Sequence, residues 1–343
     1  MQEKSPAAND RSVFLSNSTC TNDRLCAIMN KTPKCKGDTA MTSAQYLQNL
    51  SVPTGPVDVV LDTDTYNEAD DQFALAYLLA SSDKLHTKAI YAAPFFNDRS
   101  ESPADGMEKS YEEIFHLLKL LGKEYPVYRG SKSYLSDEKT PVASEACEDL
   151  VTRARAYSPE KPLYVVAIGA ITNIASALLM APEIAENLVV VWLGGHARHF
   201  ANTREFNMMQ DIAAARVVMK SGVPFVQLPC MGVVSSFTVS EWDLRHYLEN
   251  TTPIGDYLCK NTIEYMKAHT AHKTWTKCIW DVTAVAWLLN DNDRFMASSL
   301  EKIALPTYDH VYSYTNRSPF MCYVYDIHRD ALLEDLVEKL TRE

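Results

Sequence analysis

The stretch VDVVLDTDTYNEADDQFALAYLLA, residues 57 to 80, narrows the possible folds more than any other part of this 343-residue chain. Val57 to Leu61 is a short, mostly β-branched apolar run that predicts a buried strand, and the 3.6-residue apolar spacing from Phe73 to Leu79 predicts a helix. The loop between them carries Asp62, Asp64, Glu68, Asp70 and Asp71. In an open α/β sheet the ligand crevice lies outside the carboxyl ends of the strands, which is where these acids fall. They repel one another: two like charges about 4 Å apart cost on the order of 4 kcal/mol at an effective dielectric near 20. Helix-dipole stabilisation accounts for Asp70 and Asp71, but capping needs no acids at the end of a core strand. A hard divalent cation relieves the repulsion. Calcium suits an all-oxygen ligand set better than zinc, and better than magnesium once more than two carboxylates close on the ion.

Further along, apolar runs predict strands over 85–92, 126–129, 163–168, 189–193, 225–228 and 321–327. Helical patterns fall between them, over 106–121, 144–157, 211–222 and 329–340, with a further helix capped by Thr172 or Asn173. Steady alternation of this kind predicts an α/β fold with a mostly parallel sheet covered by helices on both faces, in one domain over residues 43–343. Residues 1–42 are polar without sustained periodicity and are expected to form a disordered extension.

Composition limits the partners. A formal net charge of -11 argues against nucleic acid polymers and anionic membranes, which basic patches bind. No apolar run is long enough to span a bilayer, and the first residues, MQEKSPAANDR, lack a secretory layout. The eight cysteines, including Cys20, Cys26 and Cys35 near the start, form no Cys-x-x-Cys pair and are read as free thiols of a cytoplasmic protein. A small-molecule substrate is the expectation.

Four separated blocks carry a family resemblance: Asp62-Thr-Asp64 with Asp70-Asp71, then AIGAITN, then Glu205-Phe206-Asn207 with Asp211, then Trp280-Asp281. In this order they resemble the nucleoside hydrolases, calcium-dependent N-ribohydrolases, which implies a single open α/β domain around a mostly parallel mixed sheet with a Rossmann-like core. The chain departs from the family pattern in having five residues, Thr65 to Ala69, where members usually have three, and Trp280 where many carry a histidine.

The resemblance implies a calcium ion held by Asp64, Asp71, Asp281 and the main-chain carbonyl of Ile168, with Asp64 taking a proton from the attacking water. It implies that Asp70, Asn97, Glu205 and Asn207 bind the ribose, with Phe206 packing beneath, and that His199 aligns with a residue binding the 5'-hydroxyl. Trp280 resembles the indole of the purine-preferring branch, which stacks on the base; an indole donates no useful proton. The leaving-group acid is left open among His196, His199, His269, His272 and Asp98. Tyr312, Tyr314 and Arg317 are candidates to cover the pocket. The implied reaction is hydrolysis of a ribonucleoside to base and ribose, purines slightly favoured, by a homodimer or homotetramer. Hydrolysis of another N-riboside and non-catalytic ribose binding are the alternatives. A phosphatase of the Asp-x-Asp type is disfavoured by Tyr66.

Overall fold

The computed structural model describes residues 41–315 and 318–342. Strands β1 to β6 are Val57–Thr63, Leu85–Ala92, Val127–Arg129, Leu163–Ala167, Leu188–Leu193 and Phe225–Leu228. A short pair follows, β7 (Thr238–Ser240) and β8 (Thr276–Cys278), then β9 (Met296–Lys302), β10 (Leu305–Pro306), β11 (Tyr312–Ser313) and β12 (Phe320–Ile327). The main sheet has the order β3-β2-β1-β4-β5-β6-β12-β9. Every pairing in it is parallel except that of β9 with β12.

β4 and β5 are buried along their whole length, as strands covered on both faces must be. Helix Asp71–Ala80 is equally telling: Asp71 through Leu79 are all buried, so it has no solvent stripe. It is enclosed by helices Val282–Trp287 and Arg329–Leu340 as well as by the sheet. The fully buried Trp192 and Phe225 pack together, their ring centroids 6.2 Å apart, under the same sheet.

The strand order reverses direction between β1 and β4, the switch point at which open α/β sheets open a crevice. There the register places Asp62 beside Ala167, and the Ile168 N–H donates to the Asp62 carbonyl at 2.9 Å. The ends of β1 and β4 are thereby locked together just where Asp64 and Ile168 leave the sheet.

Most expected elements are present with edges shifted by a few residues. The helix expected from 106 begins at Pro103, because Ser102 caps it by accepting from the Asp105 N–H at 3.2 Å and proline suits a first helical position. Neither Thr172 nor Asn173 caps helix Thr172–Met180. Both are the helix's own first residues, turned to tertiary partners: Thr172 donates to Asp211 and Asn173 to Asp62, each at 2.7 Å. Residues 44–343 form one compact unit. The expected extension, with Cys20, Cys26 and Cys35, lies outside the described residues apart from Met41 and Thr42. Among the described residues no helix is long and apolar enough to cross a membrane.

Candidate active site

Asp70, Asp71 and Asp281 are buried together and present carboxylate oxygens that all lie within 4.8 Å of one another. Asp70 and Asp71 open the helix after β1, and Asp281 opens helix Val282–Trp287, so two helix amino termini bring acids from far-apart segments to one point. Asp64 is fully buried beside them, and neither of its oxygens has a hydrogen-bond partner; Oδ2 of Asp62 has none either. An ionised carboxylate buried without partners is costly, so these oxygens call for protons or a cation.

The titration behaviour follows. Burial, reinforced by the Asp71 charge, pushes Asp64 well above the ordinary carboxylate range, and Asp281 is raised by burial and then by Asp71 and Asp70. Asp71 is pushed up to about 7 by burial and by Asp70, although the Thr63 hydroxyl donates to it at 2.7 Å. Asp62 is pushed up to about 7 by burial, against the pull of the Asn173 amide. An all-oxygen donor set with unpartnered buried atoms fits a hard cation. Gly169 contributes by what it lacks, since a Cβ there would lie 3.0 Å from the Asp64 Cγ.

Asp70, Asp71 and Asp281 form one wall of a cavity of about 180 Å³, and the buried Asp62 and Asp64 are not among its lining residues. Ile168, Glu205, Phe206, Asn207 and Trp280 also line it. Glu205 is buried and rigidly held: Oε1 accepts from the Asn207 N–H at 2.9 Å, and Oε2 from the N–H groups of Met208 at 2.9 Å and Gly195 at 2.7 Å. That last bond depends on a glycine. Gly195 has φ +79°, and a Cβ there would meet the Tyr312 hydroxyl at 2.3 Å. Burial raises the pKa of Glu205 and these N–H groups lower it, with a net rise.

Other expected residues lie elsewhere. Asn97 does not line the cavity: it accepts from the Arg99 N–H at 2.8 Å in an Asx turn and donates to Asn67, a lining residue, at 2.7 Å. His199 is exposed against Phe200 and lies outside the cavity, which His196 lines instead. Of the leaving-group candidates, only His196 lines the cavity, and burial lowers its pKa. Phe206 is among the residues that line the cavity. Tyr312 is packed under Gly195, donating to the His196 carbonyl at 2.9 Å, and Tyr314 is exposed beside Arg198. Arg317 lies outside the described residues.

Sequence reasoning did not single out Lys277. It is 5% exposed, and its ammonium donates to Glu68 and to Asp70. The only sequence signal for it is the excess of acids, which asks for a cation without saying where. Asn67, inside the acidic β1 loop, and Arg204, just before Glu205, are also on the cavity wall and were not singled out beside their more telling neighbours.

The family model described as inosine-uridine preferring nucleoside hydrolase matches residues 59–314. The pyrimidine-specific ribonucleoside hydrolase RihA of Enterobacter sp. (strain 638) is 25% identical over 321 residues, 83% of this chain and 97% of that protein. Among solved structures, a plant nucleoside hydrolase, PpNRh1, superposes with a TM-score of 0.67 at 18% identity, covering 84% of this chain and 100% of its own. The purine-preferring ribonucleoside hydrolase from Gardnerella vaginalis gives 0.66 at 20% identity, covering 83% and 98%.

Proposed function

Because this chain belongs to the inosine-uridine preferring nucleoside hydrolase family, we propose that it hydrolyses the N-glycosidic bond of ribonucleosides with calcium as cofactor. The observation that carries the reading is the meeting of Asp70, Asp71 and Asp281 with Glu205 and Asn207 around one cavity. Capping would explain each acid singly, but not their burial together.

Asp64, Asp71, Asp281 and the Ile168 carbonyl would hold the ion, which would lower the pKa of the attacking water and balance the carboxylate charge. Asp64, with two unpartnered oxygens, takes the proton. Asp70 and Glu205 accept from ribose hydroxyls. Asn207 accepts too, through Oδ1, because its amide hydrogens are committed to the Ile168 and Leu193 carbonyls. As the bond to the base lengthens, positive charge builds on the sugar, and these fixed carboxylates favour it.

Trp280, half-buried on the cavity wall, supports base stacking and a mild purine preference. The pyrimidine-specific name of the bacterial relative motivates the opposite preference, so the base side is the part to measure first. Buried free thiols at Cys147, Cys230, Cys259, Cys278 and Cys322 suit the cytoplasmic setting of the reading, and a homodimer or homotetramer is its assembly.

The test is incubation with purine and pyrimidine ribonucleosides, with and without a calcium chelator. Release of free base that stops on chelation and returns with calcium is expected; ribonucleoside binding without release would leave only the non-catalytic alternative.

A further inference from the structure

A lysine reaches into the acid cluster and treats its members unequally. Lys277 stands on β8, paired with Val239 of β7, and is nearly inaccessible to solvent. Its Nζ lies 2.9 Å from Asp70 Oδ1 and also contacts Glu68, with the Tyr265 ring centroid 5.7 Å away. The other Asp70 oxygen accepts from the Trp280 main-chain N–H at 3.0 Å. Both oxygens of Asp70 therefore have donors. Asp64, Asp71 and Asp281 form no ion pair among the described residues; Asp71 has the Thr63 hydroxyl, and the Asp64 oxygens have nothing. The long loop that presents Glu68 is pinned as well, by Arg99 on the Glu68 carbonyl at 3.0 Å and Gln72 on the Thr65 carbonyl at 2.8 Å.

By distance alone, Asp70 is as able to ligate an ion as Asp71 and Asp281. An ammonium already on its oxygen changes that. A dication sharing that carboxylate would sit within a few ångströms of a buried positive charge, where repulsion is weakly screened. The cation is thus directed to the uncompensated acids. We propose that Lys277 is a positioning residue that withholds Asp70 from the metal and reserves it for the sugar hydroxyl, an inference that rests on the calcium-dependent hydrolase reading. With Lys277 gone, Asp70 joins the ligand set, calcium binds more tightly, and the substrate loses an acceptor.

The experiment compares the full chain with Lys277→Met, Lys277→Gln and Lys277→Arg. Calcium is titrated by calorimetry without substrate, and base release is measured with saturating calcium. In the methionine and glutamine variants the calcium Kd is expected to fall about tenfold and KM to rise about tenfold, with kcat changed less, and arginine should restore both. Lys277→Gln keeps a neutral donor toward both carboxylates and carries the test if the methionine variant does not fold. A calcium Kd that is unchanged or weaker, or a fall in kcat at constant KM, overturns the proposal. If the wild-type protein binds calcium but releases no base, the hydrolase reading fails and the calorimetric arm alone judges Lys277. A wild-type protein that takes up no calcium sinks both.

Discussion

The side-chain amide of Asn207 donates to the main-chain carbonyl of Ile168 across 3.0 Å, and to that of Leu193 at the same distance. One residue of the expected sugar block thus ties the end of β4 to the end of β5. Asn207→Ala leaves two buried carbonyls without that donor, at about 1–3 kcal/mol for each unsatisfied group. The expected outcome is a melting temperature lower by several degrees together with a fall in base release of at least about 100-fold, because positioning and binding fail together. Scanning calorimetry and a base-release assay check it; a variant that melts normally at full activity refutes both roles.

Asp64→Asn separates chemistry from folding. The carboxyl is buried without hydrogen-bond partners, so an amide of the same shape keeps the packing but cannot take up a proton. Turnover is expected to drop by about 1000-fold, within the usual range for loss of a general base, with the melting temperature of the chelated protein held. Full activity in this variant rejects the base assignment.

Stripping the metal makes stability depend on pH in a stated direction. Asp62 and Asp71 are each pushed up to about 7, above an unfolded value of about 4. A carboxyl whose pKa is raised on folding favours the folded state while protonated. Its contribution is complete below about pH 4 and is lost as pH rises through about 7. Calcium added to chelated protein should therefore raise the melting temperature more at pH 8 than at pH 5. A calcium-induced shift equal at the two pH values, or larger at pH 5, contradicts the buried-acid account.

Trp280→Ala tests stacking. An aromatic platform contributes about 1–3 kcal/mol per stacked base, and the larger purine surface gains more. kcat/KM for purine ribonucleosides should fall at least about tenfold, and for pyrimidine ones by less. Equal losses refute a stacking role and leave Trp280 as a wall residue that excludes water.

The parts of the site that were legible in the sequence are those carried by local pattern. The β1 loop announced itself because acids at the end of an apolar strand have no packing reason to be there. Phe225–Leu228 and Arg329–Leu340 have the bounds that their periodicity predicts. Partners distant along the chain were not legible. Thr172 and Asn173 have the chemistry of caps, yet tertiary acceptors, Asp211 and Asp62, claim their side chains. His196 lines the cavity and His199 does not, and the positive φ of the neighbouring Gly195 is a backbone feature that composition does not reveal. Lys277 meets Asp70 across 207 positions, with no motif at the lysine end to announce the meeting.

The distance along the chain between Asp71 and Asp281 has a consequence during synthesis. A nascent chain folds from its amino terminus, and β1, its helix and the first acids leave the ribosome long before Lys277 and Asp281 do. Until then the early carboxylates have neither the Lys277 ammonium nor Asp281, and the ion site of the proposed reading would be incomplete. Completion of the site falls to the last quarter of the polypeptide: a product cut short before Asp281 would carry β1 to β6 of the main sheet but lack one of the three clustered acids.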